Sequence, residues 1–483
     1  MSTVLALHLF LSQTASLTSA TPSRFVDRSI EFSVAPAGGH AAWGDVNADG
    51  WSDLWAGGVL WLNRDGKTFA RVEAPGEGVI ADIDNDGVGD LVSFAPIAIA
   101  RGARDGDTIR LEPLKLPDTP ATVSRGVAVA DFNNDGFLDA YFGGYEDWPT
   151  QTTYPSILLL NEGGKGFRVA SATADRRTRG VTACDFDEDG DLDIYRSNYR
   201  LQPNSLLVND GKAGFVDEAS PRGALATSAG FEGGHSIGAC VGDFDGDGRF
   251  DLFAGNFAHV DSRGDQPKSR FLRNLGAAKG WTFEDLGECG VWYQESYASP
   301  AAGDFDNDGD LDLFFTTVYA IASFEKPNHP VLFRNDGTPS GAKWTFTDAT
   351  AGSGLESLPP TYQAAWADVN RDGRLDLVTA GKLFMNEGPS TAHWLCVRLR
   401  GDGVKVNRDA IGAQVRLTLP DGRTLARQVE AGTGAGNANS PLLHFGLGAF
   451  AEPVTIEIRW PDGTRERREG IAADRTVEFV RNG

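Results

Sequence analysis

One nine-residue pattern, D-x-[D/N]-x-D-G-x-x-D, occurs seven times between residues 45 and 376, its starts separated by 37, 49, 54, 58, 61 and 64 residues. Its oxygen-bearing side chains are Asp45, Asn47, Asp49 and Asp53; Asp82, Asp84, Asp86 and Asp90; Asp131, Asn133, Asp135 and Asp139; Asp185, Asp187, Asp189 and Asp193; Asp243, Asp245, Asp247 and Asp251; Asp304, Asp306, Asp308 and Asp312; and Asp368, Asn370, Asp372 and Asp376. Three oxygen donors at alternate positions, a Gly that permits a sharp turn and a closing carboxylate are what calcium requires, with a backbone carbonyl near the seventh position completing the set. Magnesium fits less well because it wants fewer, more rigid ligands and keeps its waters. Zinc would call for His or Cys, which these loops lack. Asp, Asn and Gly also make ordinary turns, but a turn does not require four oxygens at fixed spacing in seven copies. The ligand positions of the loops hold 25 carboxylates, and seven divalent ions, fourteen charges, would move the formal charge from −23 to −9. Up to seven calcium ions are therefore expected.

The elements that hold these loops are strands. Each copy follows a short small or apolar run, such as Val127-Ala128-Val129-Ala130, and precedes another, such as Leu252-Phe253-Ala254-Gly255. Such runs between turn signals are strands, which excludes the helix-flanked EF-hand. A third run ends in a turn, as in Asn161-Glu162-Gly163, and an aromatic strand such as Phe215-Val216-Asp217 follows. Four strands per repeat make a propeller blade. The seventh repeat lacks its aromatic strand, whereas Phe25-Val26-Asp27 near the N-terminus is a spare with matching chemistry. A segment near residues 23–34 is expected to complete the last blade and remove the open edge.

Composition agrees with an all-β chain: 59 Gly, 23 Pro and only two Met interrupt helices. A net charge of −23 disfavours nucleic-acid partners. No apolar run is long enough for a membrane span. The apolar Val4 to Leu11, followed by small residues around Ala15 to Ala20, reads as an export signal without its usual basic start. Residues 1–22 are thus expected to be a signal or a disordered start, and the protein to be secreted or periplasmic, where calcium is plentiful. Four Cys form no disulfide framework, and Cys184 and Cys240 lie in apolar runs as buried thiols.

Residues 391–483 alternate apolar and polar positions from Gln414 to Leu419, Val454 to Trp460 and Thr476 to Val480, the pattern of a small antiparallel β-sandwich. Pro420-Asp421-Gly422 and Pro461-Asp462-Gly463 supply its hairpin turns. His444 reads as a core histidine.

Residues 23–390, on their seven Asp-Gly loops, resemble the FG-GAP or VCBS repeat proteins, whose propellers are integrin-like; the resemblance implies a seven-bladed ring with calcium loops on one face. Asn407-Arg408-Asp409-Ala410-Ile411-Gly412-Ala413, Leu443-His444-Phe445-Gly446-Leu447-Gly448 and Trp460-Pro461-Asp462-Gly463 resemble the ASPIC/UnbV domain, a pairing found in the cartilage acidic protein-like family. Residues 432–440 depart from it, since the family usually carries a Tyr and a Gln there.

With the Asp loops on one face, the variable connections form the other. They include Tyr145-Glu146-Asp147-Trp148, residues 257–269, Trp292-Tyr293-Gln294-Glu295 and residues 318–330, rich in groups suited to recognition of a protein, glycan or small-molecule ligand. Arg263-Gly264-Asp265 spells the integrin-recognition tripeptide, which three residues reach by chance too easily to count. The first expectation is a secreted calcium-binding propeller that holds a partner there. The alternative is an enzyme of natural-product biosynthesis, with His235, His259, Glu295, Glu325 and His329 as acid or base candidates; they form no recognisable motif.

Overall fold

The computed structural model describes residues 25–261, 264–337 and 344–481. Its architecture follows from the repeat. Seven four-stranded antiparallel sheets, here Sheets 1 to 7, begin with Ala41–Gly44, Gly78–Ala81, Ser124–Ala130, Thr178–Cys184, Ser236–Gly242, Tyr297–Gly303 and Ala364–Ala367. Each first strand neighbours the next, and that of Sheet 7 neighbours that of Sheet 1, so the sheets close into the ring of a β-propeller. The fourth strand of Sheet 7 is Phe25–Asp27, paired antiparallel with Lys382–Asn386 in the register Phe25 to Asn386. The export signal lies outside the described residues.

Small residues on the first strands let neighbouring sheets approach closely, and large apolar side chains such as Trp43, Phe142, Tyr195, Phe253 and Trp366 fill the space between them. Six sheets share a further device. An Asn at or one residue before the end of the third strand, at 63, 161, 209, 274, 335 or 386, pairs with a Phe at the start of the fourth. Its side-chain amide donates to a carbonyl in the adjacent sheet's Asp loop, as Asn209 Nδ2 does to Phe132 O at 2.9 Å and Asn274 Nδ2 to Phe186 O at 2.9 Å. Five of the six also reach the eighth residue of their own loop; Asn209 bonds Leu192 O at 3.1 Å. Sheet 2 has Gly102 instead, where a Cβ would lie 2.2 Å from Gly89 O; there Gly89 N bonds Val46 O of the adjacent loop at 2.8 Å.

The C-terminal residues form two sheets. His393–Arg400 lies between Leu443–Gly448 and Arg475–Val480, while Thr424–Gln428, Gln414–Thr418, Val454–Arg459 and Arg465–Ile471 make a four-stranded meander-like sheet. The pairing of His393–Arg400 with Arg475–Val480 is parallel, a departure from the all-antiparallel expectation. Its apolar face, including Val415, Ile456 and Phe445, joins one core with Phe132 and Leu192 of the ring.

Replacing Asn209 by Ala takes the side-chain donor from Leu192 O and leaves Phe132 O only its bond from Ala213 N. It should lower stability by about 2–4 kcal/mol, read as a lower apparent denaturant midpoint, whereas an unchanged midpoint would dismiss the latch.

Candidate metal centres and the two faces of the ring

The Asp loops connect the first and second strands of every sheet, and their internal bonding repeats. The ninth-position Asp is buried and accepts two backbone N–H groups: Asp193 takes Phe186 N at 3.3 Å and Asn209 N at 2.9 Å, and Asp312 takes Phe305 N at 3.0 Å and Asn335 N at 2.8 Å. The first-position Asp accepts the loop Gly N–H through Oδ2, at 3.0 Å for Asp45 and Asp304. Its other oxygen is differently placed. Asp45 Oδ1, Asp185 Oδ1 and Asp304 Oδ1 are buried without a hydrogen-bond partner, as are Oδ1 of the third-position Asp84, Asp187, Asp245 and Asp306.

Four loops bring three carboxylates within 4.8 Å of one another: Asp82, Asp84 and Asp86; Asp185, Asp187 and Asp189; Asp243, Asp245 and Asp251; and Asp304, Asp306 and Asp308. In the other three loops Asn47, Asn133 and Asn370 donate to the fifth-position Asp at 2.8, 3.0 and 2.9 Å. Buried, unpartnered, convergent carboxylate oxygens fit a hard divalent cation, and the absence of thiolate or imidazole donors in the clusters does not fit zinc. The ninth Asp enters only one of these clusters, Asp251; elsewhere it braces the loop while one lone pair on each oxygen stays available.

Electrostatics gives the same picture. Burial, with repulsion from loop neighbours, raises the Asp131 carboxyl to about 6, Asp243 and Asp368 to about 7 and Asp90 to about 8. For Asp185 burial outweighs the help of Arg459, and the value reaches about 7. Such groups resist ionisation until a cation arrives.

The C-terminal sandwich covers this face, which the sequence did not disclose. It touches every loop. Arg398 donates to Asp45 Oδ2 at 2.7 Å; Asp82 N donates to Asp409 at 2.6 Å; Val404 packs on Gly136. Arg459 pairs with Asp185 Oδ2 at 3.3 Å, Ala426 N donates to Asp243 Oδ2 at 2.9 Å, and Gly446 N to Asp304 Oδ2 at 3.0 Å. At the seventh loop His444 Nε2 meets Gly373 O at 3.1 Å; the ring is buried, and burial lowers its pKa to about 4, so it is the expected neutral core histidine, donating from Nε2.

Residues 431–440, which include the stretch 432–440 that departs from the family pattern, run into the central channel. Ala431 O accepts Val129 N, Gly434 O accepts Val181 N, and Ala438 exchanges bonds with Ala41 and Trp43, all at 3.0–3.1 Å. Asn437 Nδ2 reaches Tyr362 O at 2.8 Å and Ser299 Oγ at 3.1 Å, while Thr433 Oγ1 reaches Ala239 O at 3.4 Å. Gly432 is required: its φ is +96°, and a Cβ would lie 2.2 Å from Val127 O and 3.3 Å from Val79 of Sheet 2. Small side chains let this plug touch all seven sheets. Cavities of about 60 and 100 Å³ flank its base at Glu430, room for a few waters rather than a substrate.

On the opposite face, His235, His259 and Glu295 come together. The imidazoles lie edge to face at 5.0 Å, and His259 Nδ1 is 3.1 Å from Glu295 Oε1. Glu295 also accepts Ser323 N and Oγ at 2.8 Å, so its oxygens are occupied. Glu325 is exposed, and His329 lies against Trp292 at 5.7 Å; neither joins the cluster. Cys184, Cys240 and Cys396 are buried and Cys289 is half-buried, and none of the four is in a disulfide.

Ring, loops and cap together define a β-propeller whose Asp-loop face is covered by a C-terminal β-sandwich. The FG-GAP-like repeat family matches residues 185–254, and the family described as ASPIC and UnbV matches residues 403–483. The chain is similar to cartilage acidic protein 1: 27% identical to that of Mus musculus over 360 residues, covering 70% of this chain and 52% of the relative, and 27% identical to that of Homo sapiens over 293 residues, covering 59% and 41%. It spans about half the length of these curated relatives. Among solved structures it is similar to a Lactobacillus plantarum protein, with TM-score 0.36 and 12% identity over 61% of this chain and 76% of that one. An exotype rhamnogalacturonan lyase, YesX, gives TM-score 0.29 and 12% identity over 95% and 91%. Among the described residues, no helix is long and apolar enough to cross a membrane.

The raised carboxyls fix a pH dependence. Their folded pKa values lie above the ordinary 3.8, so the metal-free folded state holds more protons than the unfolded chain, and its stability falls as pH rises from about 4 to about 8. Chelated protein should melt on the order of 10 °C lower at pH 8 than at pH 5, with calcium removing most of that difference. A melting temperature that rises with pH under chelation would contradict this.

Proposed function

We propose that the protein is an exported, calcium-loaded propeller that holds a partner on the face opposite its Asp loops. The observation that carries the calcium assignment is the set of buried, unpartnered Oδ1 atoms at the first and third loop positions. In this reading the first, third and fifth residues of each loop bind the ion, with the ninth Asp closing the site; Asp45, Asp185, Asp243 and Asp304 use Oδ2 to hold the cap. Calcium would neutralise the loops, fix these carboxylates and so lock cap and plug onto the ring. Loops of this kind suit an extracellular setting, where calcium at roughly millimolar levels saturates modest sites. The relatives' name, cartilage acidic protein 1, agrees with an acidic protein of such a place.

Partner binding rests on the other face. Trp148, with Arg200 stacked 3.7 Å from its ring centroid, is 53% exposed, and Tyr319 is 56% exposed, on connections far from the cap. Large amphipathic side chains on rigidly mounted loops are binding anchors. Glu295 is saturated by His259 and Ser323, which favours a binding face over a catalytic one.

Two measurements test these halves. Amide exchange at Gly434 and Ala438 should be slow in calcium and at least about ten-fold faster after chelation; identical exchange would contradict cap locking. On arrays of matrix proteins and glycans, wild-type protein should give a defined binder that Trp148→Ala with Tyr319→Ala loses. Retained binding would move the interface elsewhere.

A further inference from the structure

The channel mouth on the partner face carries an arginine without an acid. Arg179, on the first strand of Sheet 4, has its guanidinium carbon 5.1, 5.2 and 5.4 Å from the ring centroids of Tyr145, Tyr199 and Tyr362. Its Nη2 donates to Tyr362 Oη at 3.0 Å, while Nε is shielded from solvent and has no acceptor. Its electrostatic neighbours are phenols rather than carboxylates. The nearby Glu146 is committed elsewhere: its Oε1 accepts Arg200 Nε at 2.9 Å and Tyr145 Oη at 3.0 Å, and its Oε2 forms an ion pair with Arg177 at 3.3 Å. Ala435, in the plug, belongs to the same buried apolar cluster as Tyr199, and Tyr145 and Tyr362 pack against that cluster.

We infer that Arg179 is the receptor for a single carboxylate on an otherwise neutral ligand that enters this mouth, a deepening that rests on the partner-face reading above. Three tyrosine faces offset part of the cost of desolvating a guanidinium, but they leave N–H donors unused. A planar fork with a donor still unpaired matches a carboxylate, which would also supply the missing counter-charge. A net charge of −23 repels polyanions at long range, so the local cation selects a ligand with one acid. The phenolic rim suits a body bearing hydroxyls or a flat ring.

The test is calorimetric titration of the full calcium-loaded chain with D-glucuronate, benzoate and, as the neutral control, D-glucose. At least one of the two carboxylates should bind saturably and glucose should not; which acid binds tells the hydroxylated body from the flat one. Arg179→Lys keeps the charge, removes the fork and should weaken binding about ten- to hundred-fold. If that variant does not fold, Tyr362→Phe, which removes only the oxygen holding Nη2, should weaken binding about three-fold or more. Binding of neither carboxylate, or affinity unchanged in the variant that folds, overturns the assignment. Such a failure with the array binder intact overturns the Arg179 site alone and leaves the partner face standing.

Discussion

The carboxylate at the first position of each Asp loop is the interaction on which the structure depends. It is buried or nearly so, and a buried anion is tolerable only when bonds and counter-charge surround it. Here the two oxygens divide the task. Oδ2 accepts the loop Gly, at three loops also an N–H from the C-terminal sandwich, and at Asp185 it forms an ion pair with Arg459. Oδ1 faces into the loop, where at Asp45, Asp185 and Asp304 no protein donor reaches it. An ion in the loop therefore acts on the ring's own turn and on the domain above it through one group.

The rest of the ring is arranged to keep that group in place. Asn side chains tie six sheets to an adjacent loop, and Gly89 makes the seventh link through its backbone. The ninth-position Asp ties the loop to the third strand. From above, the plug satisfies exposed N–H and C=O groups of the first strands that would otherwise face an open channel.

Much of this was legible in the sequence. The loops, the strand class, the closure by Phe25-Val26-Asp27 and the strands near Gln414, Val454 and Thr476 all express local chemistry with a short period. The Asn latch was readable as a repeated Asn before a turn, yet Asn there is also an ordinary turn residue, and only the carbonyls of Phe132 or Phe186, about 80 residues away in sequence, reveal its role. The plug was invisible for a related reason: Gly, Ala, Asn and Ser in a row read as a loop, and nothing local says that a channel surrounds it. The parallel partner of His393–Arg400 is likewise a long-range choice. Among the catalytic candidates, chain order could not separate His235, His259 and Glu295, which meet, from Glu325 and His329, which do not.

The central claim, that the seven Asp loops are calcium sites holding both ring and cap, is tested most directly by elemental analysis of protein purified without chelator in millimolar calcium. The account predicts about seven calcium ions per chain, with fewer when Asp185 and Asp187 are replaced by Asn. A chain that carries no bound divalent cation under those conditions would contradict it, and the buried carboxylates would then have to be held as neutral acids.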